Sequence, residues 1–261
     1  MKSINLKGHS GCKISLLEDK NELFVRKISI NQEYNKRLLR QIKKQKEFRH
    51  YSISTPFIFN TFHVDKNLSF DMEFIKGKSF SNLVEQEDHK KIKFLFLKII
   101  KFVNQNNFLE ETIEQDVFRK LDQLKINPKY QPFKDCCLDF DWNKIHKSYS
   151  HGDLTFENII VKDDDLYFID FLDSFTSSQV LDYSKLMQDI IVGWSWRGKT
   201  TLPFINLLSL HNLLKENLSP NMLTASYKML ILNLLRIIPY CKKEEEEFIY
   251  SKLLNIKNKK F

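Results

Sequence analysis

Apolar and polar residues alternate through residues 3–30, and the alternation breaks twice. SINLKG, CKISLLED and ELFVRKISI each read as a strand; Gly8-His9-Ser10-Gly11 separates the first two, and the polar turn Asp19-Lys20-Asn21 separates the last two. Residues 32–49 change to a helical period. Residues 54–56 lead into two further strands at 57–63 and 67–75. From there the pattern turns helical. In 87–107, Ile92, Leu95, Phe96, Ile99, Ile100 and Val103 trace one face, while Phe94, Leu97 and Phe102 fall off it, as in a helix buried against several neighbours. Further helices are expected at 114–124, from 180, and at 204–214, 222–238 and 245–254, whereas 125–148, with two prolines, reads as loop-rich. One stretch breaks the helical half. In 150–171, two short apolar runs flank the acidic turn Asp163-Asp164-Asp165 and read as a β-hairpin.

Composition narrows the class. At 261 residues, with 42% hydrophobic and 28% charged residues, the chain has the balance of a soluble globular protein of one large domain or two lobes. No uninterrupted apolar run reaches the length of a membrane span, and MKSINLKGHS lacks the apolar segment of a signal peptide, so a cytoplasmic protein without a membrane partner is expected. The four cysteines show no metal-ligand spacing; adjacent Cys136 and Cys137 read as buried apolar fillers. The net charge of +8 comes from lysines spread along the whole chain, where a nucleic-acid binder would cluster them with aromatics. No nucleic-acid partner is expected. A basic surface does attract polyanionic ATP or an acidic substrate.

The hairpin carries the chemistry. Asp153 and Asn158 lie on the loop entering it and Asp170 on the loop leaving it, so three oxygen-bearing side chains meet at one end of a small rigid element. Phosphoryl transfer needs such a set: Mg²⁺ takes carboxylate and amide oxygens along with phosphate and water, and a carboxylate orients the accepting hydroxyl and takes its proton. Asp170 and Asn158 suit the metal, and Asp153 suits the base. Three turn-favouring residues in a polar hairpin would read alike one by one. However, H-G-D-x-x-x-x-N arises by chance on the order of once in a thousand chains of this length at average composition. In the third strand, alternation sets Val25 and Lys27 on one face and Phe24, Arg26 and Ile28 on the other. A cation pointing inward there requires an anion. Arg26 is its neighbouring rival.

HGDLTFEN and FIDF, together with the N-terminal pieces, resemble the aminoglycoside and choline phosphotransferases over residues 1 to about 190. The resemblance implies an α+β, two-lobed protein-kinase-like fold with an N-lobe over 1–76 and a C-lobe over 77–261, ATP lying between them, and an ATP- and Mg²⁺-dependent kinase of a small hydroxyl compound. It implies that Gly8 and Gly11 let backbone approach the phosphates and that Lys27 contacts the α- and β-phosphates, steadied by a helix acid. Glu47 is the choice for that acid, with Gln41 and Gln45 as the alternatives. It further implies that LSFDMEFIKG is the hinge, with Met72 bordering the adenine pocket and the backbone of Glu73 and Ile75 on the base edge. Asp182 would brace the catalytic loop, and Asp173 is either a substrate or metal contact or a solvated turn acid. Eleven residues separate Asp170 from Asp182, with no long activation segment and no A-P-E, so a sugar, sugar derivative or amino alcohol is a better acceptor than a protein. A catalytically silent nucleotide-binding module is the alternative.

One motif points elsewhere. GWSWRGKT, residues 193–200, satisfies the P-loop pattern G-x-x-x-x-G-K-[ST]. A P-loop needs a strand before it, a helix after it and compact residues within it. Here a helix precedes, two tryptophans fill the loop and Pro203 follows, so the match is set aside. Trp194, Trp196 and Arg197 are either acceptor-lining residues or helix-end packing.

Overall fold

The alternation of the first thirty residues closes into a sheet. In a computed structural model describing residues 2–6, 11–105 and 108–257, Lys2–Leu6, Cys12–Asp19 and Glu22–Ser29 form an antiparallel meander. Asn67–Glu73 and Ile58–Val64 continue it beyond Glu22–Ser29, making five strands. Two hairpin turns of this sheet have positive φ at both central residues, Lys20 and Asn21 (48° and 68°) and Asp65 and Lys66 (48° and 68°). These are the twist-matched two-residue turns, reached here without glycine. The helix Gln32–Glu47, capped by Asn31 accepting the Tyr34 N–H at 2.9 Å, packs Leu38 and Ile42 onto Val25, Leu68, Phe70 and Met72.

The chain divides into two compact units. The first comprises Met1–Phe80 and Glu157–Asp173. Besides the large sheet it holds a second, small one. Ile159–Lys162 and Asp165–Phe168 form the expected hairpin, turning at Asp163 and Asp164 (φ 49° and 66°). Ile53–Ser54 pairs in parallel with Asp165–Phe168, and Lys78–Ser79 pairs antiparallel with Ile159–Lys162. The hairpin therefore groups with the first unit. Neither two-residue strand is long enough to show a period of two in sequence.

The second unit, Ser81–Phe156 and Ser174–Phe261, is built on helices. Its central helix, Pro220–Ile237, buries a nearly continuous run from Ala225 to Leu235. By length and mean hydropathy (1.2) the stretch Pro220–Tyr240 would suffice to cross a membrane, yet 61% of its apolar window is buried inside the protein, as in a core helix. Helix Gln179–Met187 joins the same core; Asn233 Nδ2 donates to Ser184 Oγ at 2.7 Å, and Tyr183 Oη donates to Asn104 Oδ1 at 2.5 Å. The stretch 125–148, expected to be loop-rich, contains a helix at Gln131–Leu138. Its prolines start structure instead of breaking it: Pro128 opens a 3-10 turn and Pro132 sits in the first helical turn, where its missing N–H has no partner to lose.

Candidate active site

Lys27 with Asp170, and Asp153 with its loop, form two separate clusters. In the first unit, Lys27 is buried on the inner face of its strand with Val25 and Ser29. Its Nζ lies 2.6 Å from Asp170 Oδ1, joining residues 143 apart in the chain. Burial pulls the lysine pKa down, but the charge of Asp170 and its hydrogen bond outweigh that, and the net displacement is upward. Arg26 on the other face is committed elsewhere. Its guanidinium grips Asp71, directly opposite in register, through two bonds of 2.7 and 2.9 Å. Asp170 itself has φ 60°, a left-handed conformation that few non-glycine residues adopt. Asn158, half-buried, ties the two ends of the hairpin together as its carbonyl accepts the Ile169 N–H at 3.0 Å.

The helix acid expected beside Lys27 is absent from that position. Glu47 lies on the exposed face of its helix, 65% exposed and 3.8 Å from Lys43. The inward face carries Leu38, Gln41, Ile42 and Gln45 instead. Gln45 donates to the Pro56 carbonyl at 2.8 Å. What the helix does supply is positive charge: Arg40 pairs with Asp173 at 2.7 Å, and Lys44 donates to the Leu172 carbonyl at 3.0 Å.

At the hinge stretch, Met72 is buried in the sheet core, 3.7 Å from the Gln45 amide. The Glu73 N–H donates to the Phe57 carbonyl at 2.9 Å, and the Ile75 carbonyl accepts from Gly77 at 2.9 Å. Gly77 is needed for close approach, because a Cβ there would collide with the carbonyl of Val161 in the hairpin. Gly11 is crowded too: a Cβ would stand 2.6 Å from the ring of Tyr34. Gly8 lies outside the described residues.

The second cluster is the loop that carries Asp153. One face of helix Gln179–Met187, continued by the π-helical turn Gln188–Val192, holds that loop at three points. Asp182, fully buried, accepts the N–H groups of His151 and Gly152 at 2.7 and 2.9 Å. Lys185 lies 3.0 Å from Asp153 Oδ1. Asp189, also fully buried, accepts the Phe156 N–H at 2.6 Å and both the N–H and the hydroxyl of Ser195, at 2.9 and 2.6 Å. Spacing of three and then four residues puts 182, 185 and 189 on one face. Sequence reasoning found the first rung and missed the other two. The spacing of the three charged residues was visible in the sequence.

The P-loop-like segment lacks the strand before it and the compact loop that a P-loop needs. A helix and a π-helical turn precede it, Trp194–Trp196 is a single 3-10 turn, and Lys199 pairs with Glu85 at 2.5 Å. Trp196 is buried edge-on to Phe156, while Arg197 stacks 4.4 Å from the Trp194 ring centroid.

No family profile matches the chain, and no curated protein matches its sequence. Solved structures do match in shape. A thermostable mutant of aminoglycoside phosphotransferase APH(4)-Ia, in a ternary complex with ADP and hygromycin B, superposes with a TM-score of 0.71 at 8% identity, over 98% of this chain and 92% of that one. The fold is that of the aminoglycoside phosphotransferases. A putative fructosamine-3-kinase from Haemophilus somnus 129PT gives 0.61 at 14% identity, over 98% and 91% of the two chains. Choline kinase LicA from Streptococcus pneumoniae gives 0.59 at 13%, over 98% and 93%. Antiparallel sheet followed by helices, the expected α+β kinase-like architecture, is thus what this chain forms.

Proposed function

We propose that this chain transfers the γ-phosphoryl group of ATP to a hydroxyl of a small molecule: a sugar, a sugar derivative or an amino alcohol. The observation that carries the reading is the Lys27–Asp170 pair. Each residue is independently the one that the kinase-like pattern requires, one on the third strand and one after the hairpin. The nucleotide and small-molecule complexes among the structures of the same fold support it further.

Lys27 binds the α- and β-phosphates, exchanging one anionic partner for another. The backbone of Glu73 and Ile75 contacts the base edge, beside Met72, and backbone at Gly11 approaches the phosphates. Asp153 orients the accepting hydroxyl and takes its proton as the hydroxyl oxygen bonds to the γ-phosphorus; the β–γ bridging bond breaks and ADP leaves. Among the described residues no group of three or more His, Cys, Asp or Glu side chains is set to hold a metal. That suits Mg²⁺ better than an ion caged by protein, since Mg²⁺ takes one or two protein oxygens and completes its shell with phosphate and water. Asn158 and Asp170 are hard oxygen donors of this kind and would hold it. When bound, Mg²⁺ neutralises phosphate charge. Asp182 and Asp189 keep the loop bearing Asp153 in one conformation.

The test is a screen of sugars, sugar derivatives and amino alcohols with Mg²⁺ and ATP, following ADP release and phosphorylated product. The native chain is expected to phosphorylate at least one class. Asp153→Ala is expected to abolish turnover with nucleotide binding retained, Lys27→Ala to damage nucleotide binding, and Lys199→Ala to leave it intact. Nucleotide binding without transfer to any acceptor would replace this reading with a silent binding module. Transfer to protein substrates alone would make the chain a protein kinase.

A further inference from the structure

The middle rung of the loop-holding face differs in kind from the other two. Asp182 and Asp189 take backbone N–H groups, which fix the path of the chain. The backbone at Asp153 is already set by them, by its own N–H donating to His151 Nδ1 at 3.2 Å, and by its carbonyl accepting from Thr155 at 2.8 Å. None of these bonds fixes the two side-chain torsions that aim the carboxylate. Lys185 acts on the carboxylate itself.

We infer that Lys185 is the positioning residue for Asp153, an inference that rests on the phosphotransferase reading above. Its side chain is 13% exposed and that of Asp153 30%. A lysine side chain this little exposed is favoured by an anion beside its ammonium. Its Nζ is 3.0 Å from Asp153 Oδ1, with Gln188 Oε1 at 3.4 Å on the same helix face. The lysine stem rises from a helix whose neighbours Leu186 and Met187 are fully buried, which anchors its root in the core. The pair therefore transmits the rigidity of the core to the one side chain whose direction matters for taking a proton. Holding the carboxylate in one direction keeps it within reach of the acceptor hydroxyl for more of the time.

The experiment compares Lys185→Met, Lys185→Gln and Lys185→Arg. With an acceptor from the screen, the neutral variants are expected to lose about 10- to 100-fold in kcat while KM for ATP moves less than about twofold, and arginine is expected to recover part of the loss. A second arm does not depend on turnover: urea unfolding of Lys185→Met, Asp153→Asn and the double variant, with a coupling of at least about twofold in the unfolding constant expected. Additive unfolding effects would overturn the inference. So would kcat unchanged in the neutral variants, or an arginine variant no better than methionine. If the native chain phosphorylates nothing, the phosphotransferase reading falls, and a coupling that survives still marks Lys185 as the residue that positions Asp153.

Discussion

Removing the Asp182 carboxylate directly tests the support of the loop that carries Asp153. The side chain is fully buried and takes two backbone N–H groups, from His151 at 2.7 Å and Gly152 at 2.9 Å. Gly152, at φ 91°, has the backbone conformation that turns consecutive N–H groups toward one acceptor. Hydrogen bonds to a charged partner contribute about 1.5–3 kcal/mol each, so alanine forfeits about 3–6 kcal/mol and leaves two buried donors unmet. Against that stands the relief of no longer burying a carboxylate, worth part of the same sum. A net loss of about 2–4 kcal/mol is expected for Asp182→Ala. Asp182→Asn keeps the shape and one acceptor oxygen but turns an NH₂ toward the other N–H. It is expected to fall about halfway, at roughly 1–2 kcal/mol. Urea unfolding at constant m gives both values, and amide exchange at His151 and Gly152 reports the bonds themselves. An asparagine variant as stable as the native chain, with exchange at both amides unchanged, would refute the reasoning.

Three further outcomes follow from the geometry. Gly77→Ala drives a Cβ into the Val161 carbonyl, backbone that cannot step aside, and is expected to cost about 1–3 kcal/mol by thermal unfolding; a neutral result would mean that Lys78–Ser79 does not pair with the hairpin. Lys27 and Asp170 should respond unequally. Asp170→Asn leaves a 4%-exposed ammonium without its carboxylate and is expected to cost about 3–5 kcal/mol, whereas Lys27→Met leaves a 27%-exposed carboxylate that water reaches and should cost about 1–2 kcal/mol; equal losses would contradict the burial. Burial pushes the hydroxyls of Tyr130 and Tyr227 up to about 12. A group whose folded value is raised contributes stability in full below its unfolded value near 10 and loses it as pH climbs through the folded one, so stability should be flat in these groups up to about pH 10 and fall between 10 and 12. Tyrosinate absorbance and circular dichroism, followed together, check it; ionisation of these two near pH 10 would refute it.

Periodicity made most of the scaffold legible, since strands of five to eight residues and helices of nine or more carry enough repeats to reveal a period. The hairpin at 159–168 was readable because polar residues interrupt two apolar runs. The two-residue strands Ile53–Ser54 and Lys78–Ser79 were not, since two residues define no alternation and their pairing is a tertiary fact. Lys27 was reachable from strand alternation alone, but its partner was not. The resemblance put its partner among the acids of the next helix, and nothing local points to a carboxylate 143 residues away. Lys185 and Asp189 fell between these cases. Their spacing with Asp182 was visible, but the same spacing describes any solvated helix face, and only burial separates the two readings.

The charge on Lys27 also explains why that helix carries no inward acid. A buried ammonium must face an anion or give up its proton. Helix Gln32–Glu47 has two acids, Glu33 and Glu47, both exposed, and neutral side chains at its buried positions. The balancing carboxylate comes from Asp170, and the helix turns bases, Arg40 and Lys44, onto the residues that follow it. An inward acid on the helix would then bring a second buried carboxylate to a cation already neutralised. Gln45 fits that face because its amide meets the Pro56 carbonyl at 2.8 Å without adding charge. An anion that takes Lys27 from Asp170, a triphosphate among them, meets an ammonium already stripped of water. The desolvation of that group is met in folding and is not charged against binding.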